Sequence, residues 1–184
     1  MSRVWTIGYE RVGVGDFIAT LKAAKVNMLV DVREIANSRR AGFSKHVLAA
    51  SLAEAGIGYI HIKALGTPKA GREAARRGDT ATMRRIFEAR LVEPESQLAL
   101  AQTAELAGEG RICLMCLEHD WRLCHRHIVA QHLEAEFDVK PTHLSPEPSP
   151  ERPRSKVRSN KAQTPRSSAP ASAKPAKRRK KPPR

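Results

Sequence analysis

The run Ile112-Cys113-Leu114-Met115-Cys116-Leu117 is apolar without a break, and it passes directly into Glu118-His119-Asp120-Trp121-Arg122-Leu123-Cys124-His125-Arg126-His127. A strand with water on one side alternates apolar and polar side chains. An unbroken run, followed by a polar loop and a helical pattern, reads as a parallel strand covered by helices on both faces. The helix expected next, Cys124 to Phe137, turns Ile128, Val129 and Leu133 inward. Strand, loop and helix in that order make one unit of an α/β fold.

The same alternation recurs toward the N-terminus. Val4-Trp5-Thr6-Ile7 reads as a strand ending at Gly8, and Asp16 is placed to cap a helix with Phe17, Ile18, Leu21 and Ala24 on one face. Met28-Leu29-Val30-Asp31-Val32 is the second strand. Ser44 is placed to cap a helix carrying Val47, Leu48 and Leu52 that stops at Gly56, and Ile57 to Ile62 is the third strand. Lys63 to Asp79, with Gly66, Pro68, Gly71 and Gly78, reads as a long loop with a helical turn. Thr80 or Thr82 opens helical segments running to about Ala107, interrupted near Pro94. Thr142-His143-Leu144 is a short closing strand. The expected fold is therefore α/β, a single-domain open and mostly parallel sheet flanked by helices, Rossmann-like in its layering.

The chain has 184 residues with 33 Lys+Arg against 19 Asp+Glu, a formal charge of +14. That charge is concentrated at one end. Residues 145–184 hold 13 basic and two acidic side chains and nine of the 12 prolines, with no aromatic residue, whereas residues 1–144 are net +3. The expected organisation is a globular domain over 1–144 and a disordered Pro/Lys/Arg-rich tail over 145–184. Lys177, Arg178, Arg179, Lys180 and Lys181 would attract nucleic acid through counterion release, without an aromatic platform for base stacking. No apolar window is long enough to span a bilayer and the N-terminus lacks a signal-peptide pattern, so a cytoplasmic protein without membrane contact is expected. Three cysteines packed between positions 113 and 124 make a poor disulfide framework.

Ligands of open α/β sheets sit outside the carboxyl ends of the strands. Here those ends carry Gly8, Tyr9 and Glu10, Asp31 and Arg33, His61 and Lys63, and Cys116 and Glu118. Asp31 and Arg33 share a strand face, as do Cys116 and Glu118. Cys124 and His125 fall at a helix N-terminus, where the dipole and free amides favour a thiolate or a bound anion. Cys113 and Cys116 have the CxxC spacing of a zinc site, but residues three apart on a strand face opposite sides, so no metal is expected from that pair. Cys116 and Arg122 have the spacing of a phosphatase-like loop, yet Glu118, Asp120 and Trp121 would repel or obstruct a phosphate. Two readings stay open on the residues alone. In one, Glu118 does acid/base work with Cys116, Cys124 or His125 as nucleophile or its support. In the other, Cys116 fills the core, Glu118 pairs with Arg126 or Arg33, and His125 is a buried hydrogen-bonding residue.

The series Thr6-Ile7-Gly8-Tyr9-Glu10, then Asp31-Val32-Arg33 with Ser38-Arg39 and Gly42-Phe43-Ser44-Lys45, then Gly56-Ile57, Tyr59, Leu65-Gly66 and Arg72, and finally Cys116-x-Glu118 with Cys124-His125-Arg126 resembles the domain-of-unknown-function 488 family over roughly residues 3–144. The resemblance implies a small bacterial or archaeal α/β domain without a known obligatory cofactor. It marks Gly8, Asp31, Arg33, Ser38, Arg39, Gly66, Cys116, Glu118, Cys124, His125 and Arg126 as characteristic. One departure is Ala36, where the family pattern commonly has proline.

The expected activity is that of an enzyme acting on a phosphorylated or nucleotide-like anion at the carboxyl edge of the sheet. Glu118, Cys116, Cys124 and His125 would do the chemistry. Arg33, Arg39, Arg126 and Arg72, with Asp31, Gly8 and Ser38, would form the substrate and anion site, and Lys63 and Lys69 would stand nearby. The alternative is a non-catalytic, nucleic-acid-associated phosphate-binding module with the basic tail. No metal or other cofactor is expected in either case.

Overall fold

Five of the apolar runs become strands: β1 (Ser2–Gly8), β2 (Met28–Asp31), β3 (Gly58–His61), β4 (Ile112–Cys116) and β5 (Val139–Leu144). In the computed structural model, which describes residues 2–146, they form one sheet in the order β3-β2-β4-β1-β5, and every pairing is parallel. The helices are α1 (Val14–Ala23), α2 (Lys45–Glu54), α3 (Lys69–Arg76), α4 (Thr80–Leu91), α5 (Pro94–Glu109) and α6 (His125–Phe137), with short 3-10 turns at Lys63–Leu65 and Trp121–Leu123.

Both sheet faces are covered, which explains the lack of strict alternation in the strands. On one face Trp5, Ile7, Leu29, Cys113 and Met115 pack with Phe17 and Leu21 of α1 and Leu48 and Leu52 of α2. On the other, Val4, Val30, Leu114 and Cys116 pack with Phe87 of α4, Leu100 of α5 and Val129 and Leu133 of α6. Cys113 and Cys116 therefore lie on opposite faces of β4, as their spacing requires.

Local differences from the sequence expectations have identifiable causes. α1 begins at Val14 with Gly13 at its cap position, so Asp16 sits in the first turn, where a carboxylate suits the helix dipole. Ser44 does occupy the cap position of α2, but its hydroxyl is engaged by the loop before it, accepting from Ser38 N at 3.2 Å and donating to Ser38 O at 3.1 Å. Val47, expected inward, is exposed. The segment 63–79 is mostly helical, because Gly71 lies inside α3, where the space a side chain would need is taken by Thr67. Gly78, at φ +79°, makes the reversal into α4, whose N-terminus is capped by the Asp79 carboxylate accepting from Thr82 N at 3.0 Å. β5 is longer than expected because Asp138, left-handed at φ 53°, ends α6 and lets the strand begin at once. Pro141 is tolerated within it because β5 is an edge strand.

β4 runs between β1 and β2, and the helix after it, α6, lies on the face opposite to α1 and α2, which follow β1 and β2. Loops leaving the carboxyl ends of these neighbours thus diverge to opposite faces, and a crevice opens between them. Among the described residues no helix is long and apolar enough to cross a membrane. The tail, including Lys177, Arg178, Arg179, Lys180 and Lys181, lies outside the described residues from position 147 onward.

Candidate active site

The crevice is a cleft of about 560 Å³, within the size range of small-molecule sites. Four of the strands contribute to it: Tyr9 and Glu10 follow β1, Arg33, Glu34 and Asn37 follow β2, Thr67 follows β3, and Cys116 and Glu118 come from the end of β4. Arg72 and Arg76 of α3, Thr80 and Met83 of α4 and His125 from the start of α6 complete the lining.

Four of the expected chemical groups converge. The ligand-type atoms of Cys116, Glu118, Cys124 and His125 all lie within 4.8 Å of one another. His125 Nδ1 is 3.6 Å from Cys116 Sγ and 3.9 Å from Cys124 Sγ, while Cys124 Sγ is 2.9 Å from Glu118 Oε2 with one proton between them. The other ring nitrogen of His125, Nε2, lies 2.9 Å from the Val32 carbonyl. A carbonyl only accepts, so Nε2 carries a hydrogen and Nδ1 faces the sulfurs. Phe87 fixes the ring edge-on at 5.0 Å between centroids.

Burial and charge set the protonation of this cluster. Burial pushes the Glu118 carboxyl up to about 7, and the sulfur of Cys124 alongside adds to the rise. Burial also works to raise Cys124, but the hydrogen bond from Cys116 and the positive charges of Arg126 and His125 outweigh it, so that thiol is held well below its ordinary value. Cys116 moves the opposite way, because it donates to Cys124 and is itself buried. Both directions move the shared proton toward Glu118 and away from Cys124. Cys113, across the sheet, is simply pushed up by burial.

Asp31 and Arg33 do not join this chemistry. Arg33 Nε and Nη2 bond the two Asp31 oxygens at 2.8 and 2.6 Å, Nη1 donates to Tyr9 Oη at 2.9 Å and to Phe43 O at 3.0 Å, and Nη2 also reaches Ala36 O at 3.3 Å. A guanidinium has five N–H donors, and all are consumed here. Arg33 contributes to the cleft wall but has no donor left for an anion, which corrects the expectation that it would hold one. Asp31 is fully buried and also accepts from Tyr59 Oη at 2.6 Å. Burial and the Asp31 charge together raise the Tyr59 phenol.

Residues 13–133 match the model of the family described as Domain of unknown function DUF488. The chain belongs to this family. No curated protein and no solved structure matches the chain significantly. The DUF488 match contains all four residues of the cluster and the α3–α4 wall, while β1 and β5 lie outside it.

The remaining expected site residues of this DUF488 domain are dispersed. Arg126 is wholly buried and grips the loop before it, donating to the carbonyls of Glu118 at 2.6 Å and His119 at 3.1 Å, so it positions Glu118 through the backbone. It is not among the residues that line the cleft, and it bonds the Glu118 backbone carbonyl rather than the Glu118 side chain. Gly8 is needed for close approach, since a Cβ there would overlap the Glu118 carbonyl oxygen. Ser38 stitches the loop after β2 by accepting from Arg40 N at 3.1 Å. Arg39 is exposed and does not line the cleft, and Lys63 and Lys69 pair with Glu34 and Glu73. Arg122 lies over Trp121 and beside Asp120, away from the cleft lining, which disposes of the phosphatase-like loop. The Ala36 carbonyl helps to hold this loop, accepting from Lys45 N at 2.9 Å as well as from Arg33. Of the expected anion residues, Arg72 does line the cleft, with Nη1 on Thr67 O at 2.8 Å. Arg76 was missed. Its signal was the four-residue spacing from Arg72, which becomes a shared face only once the segment is recognised as a helix.

Proposed function

We propose that this DUF488 chain is an enzyme that acts on a small anionic substrate, phosphate-bearing or nucleotide-like, in the cleft at the carboxyl edge of its sheet. The supporting observation is the juxtaposition across one cleft of the Cys116, Glu118, Cys124 and His125 cluster with Arg72 and Arg76, one helical turn apart on α3. Arg76 makes no ion pair or hydrogen bond among the described residues, and Arg72 uses one donor on Thr67, so both retain donors for phosphate oxygens. The acids on the rim are already engaged, Glu10 by His119 N at 3.1 Å and Glu34 by Lys63 at 3.7 Å.

In this reading Arg72 and Arg76 neutralise and orient the anion. Glu118 exchanges a proton with the reacting group, and Arg126 and Gly8 keep its backbone in place. Cys116 and His125 face the substrate, with Cys124 behind them.

The test is calorimetric titration with inorganic phosphate, pyrophosphate and AMP, together with turnover of p-nitrophenyl phosphate. Replacing both Arg72 and Arg76 by Ala is expected to weaken anion binding by about tenfold or more, since a charged hydrogen bond contributes roughly 1.5–3 kcal/mol. Glu118→Gln is expected to abolish turnover while leaving anion affinity within about twofold, as for a group that acts in the transition state. Absence of binding by all three anions, unchanged affinity in the double variant, or full turnover in Glu118→Gln would each overturn the proposal.

A further inference from the structure

We infer that Cys116 Sγ, Cys124 Sγ, His125 Nδ1 and a Glu118 carboxylate oxygen form a binding site for one zinc-type divalent metal ion. This deepens the reading of the same cleft by naming its cofactor, but it rests on a separate observation, the mutual geometry of the four groups.

The distances already suit such an ion. A tetrahedral centre with zinc–sulfur bonds of ~2.3 Å and a zinc–nitrogen bond of ~2.05 Å places sulfur and nitrogen ~3.5 Å apart. The two sulfurs lie 3.6 and 3.9 Å from His125 Nδ1. The 2.9 Å contact between Cys124 and Glu118 is a hydrogen-bond distance, and it opens by roughly 0.6 Å when a metal ion takes the proton's place.

His125 is oriented as metal-bound histidines are. Its Nε2 donates to the Val32 carbonyl, which turns Nδ1 toward the two sulfurs, where a metal ion would take the place of any Nδ1 proton. The donor set is also selective, since two thiolates and an imidazole favour zinc, cobalt or copper over magnesium and calcium. Two thiolates and a carboxylate exceed the charge of a divalent cation by one, and Arg126, fully buried beside them, supplies the balancing positive charge.

The site is asymmetric. Cys116, Cys124 and His125 are buried on a strand end and a helix start, whereas Glu118 is only partly buried, on the loop between them. Three fixed ligands and one displaceable carboxylate describe a catalytic rather than a purely structural centre. With a metal bound, Glu118 would be the ligand placed to give way to a substrate anion, and its carboxylate would then be free for proton exchange. Cys113 takes no part, being on the other face of β4.

The experiment uses the full chain, stripped with EDTA and titrated with Co2+ followed by Zn2+. The expected result is one equivalent of cobalt with an intense thiolate-to-cobalt charge-transfer band, abolished by competing zinc and unchanged in Cys113→Ser. Cys116→Ser and Cys124→Ser are expected to lose the band. In case either fails to fold, the wild-type chain serves alone: zinc should protect two of its three thiols from alkylation, with Cys116 and Cys124 identified by peptide mass. Absence of the band, or zinc protection of Cys113 in place of Cys116 or Cys124, overturns the metal site. A band without phosphate or AMP binding leaves the metal site standing and removes the enzyme reading. Binding and turnover in the stripped chain with no band do the reverse.

Discussion

Replacing Arg33 by methionine separates a buried structural cation from an anion-binding one. The Asp31 side chain is completely buried and that of Arg33 is 6 % exposed, so the pair has little solvent to replace a lost partner. In Arg33→Met the Asp31 carboxylate keeps only Tyr59 Oη at 2.6 Å and the residue-33 backbone N–H at 3.1 Å. Leaving one member of a buried pair uncompensated costs about 3–5 kcal/mol. For a folded unit of this size that corresponds to a fall in melting temperature of roughly 6–20 °C, at about 2–4 °C per kcal/mol. Urea unfolding followed by circular dichroism at neutral pH measures it directly. The double variant Asp31→Leu/Arg33→Met removes the orphaned charge and is expected to recover at least about 1 kcal/mol of the loss. Phosphate titrated into Arg33→Met, at a temperature well below its transition, is expected to bind as in the wild type. A loss of stability under about 1 kcal/mol, the scale of an exposed pair, would refute the reasoning. So would a phosphate affinity that collapses while stability is kept.

Gly8→Ala pushes a Cβ into the Glu118 carbonyl and is expected to cost about 1–3 kcal/mol in urea unfolding, as overpacking does, whereas Gly108→Ala, in an exposed turn of α5 with nothing within 4 Å, should stabilise by about 0.5–1 kcal/mol; equal effects at the two sites would contradict the close approach. His143 stacks on Trp121 at 3.8 Å with Nδ1 against Thr6 Oγ1 at 2.8 Å, and burial, then His127, Arg126 and Arg122, push it down to about 4. The unfolded chain therefore takes up this proton first, and stability falls as pH drops from about 6.5 toward 4; the ring is partly solvated, so the loss is about 1 kcal/mol rather than the full shift. His143→Phe keeps the stack and should lose this acid limb, so an unchanged difference between variant and wild type at pH 7.5 and pH 5 would count against it. Removing residues 147–184 should flatten the salt dependence of duplex DNA binding, by about 0.9 in slope for each phosphate that the tail neutralises, and an unaltered slope would show that the tail carries none of it.

Much of the layering was legible because periodicity is a local property. The continuous apolar start of the second strand at Met28–Val30 and the unbroken run Ile112–Leu117 require cover on both faces, and the strand period alone placed Cys113 and Cys116 on opposite sides. That Cys116, Glu118, Cys124 and His125 gather at the carboxyl edge followed from the same reading. The α3 wall did not, because Gly71 and Gly78 resemble turn residues in sequence and only packing against Thr67 and Ile86 shows Gly71 to be a helix contact. Arg76 was lost with it.

Sequence by itself determined which residues form strands, which face of β4 each cysteine takes, and that Cys116, Glu118, Cys124 and His125 stand near one strand end. Tertiary structure alone decided what each of them touches. The Arg33 guanidinium reaches Tyr9 at the end of β1 as well as its own loop, and His125 finds the Val32 carbonyl 93 residues away in sequence, because the fold brings β1 and β4 to the side of β2. Strand order is set by the summed burial of many side chains on two faces, and no local pattern encodes it. Long polar side chains complete their hydrogen bonds with whatever that order brings within reach, so Arg33, expected at the substrate, became part of the frame, and Cys116, Glu118 and Cys124 came together with His125 Nδ1.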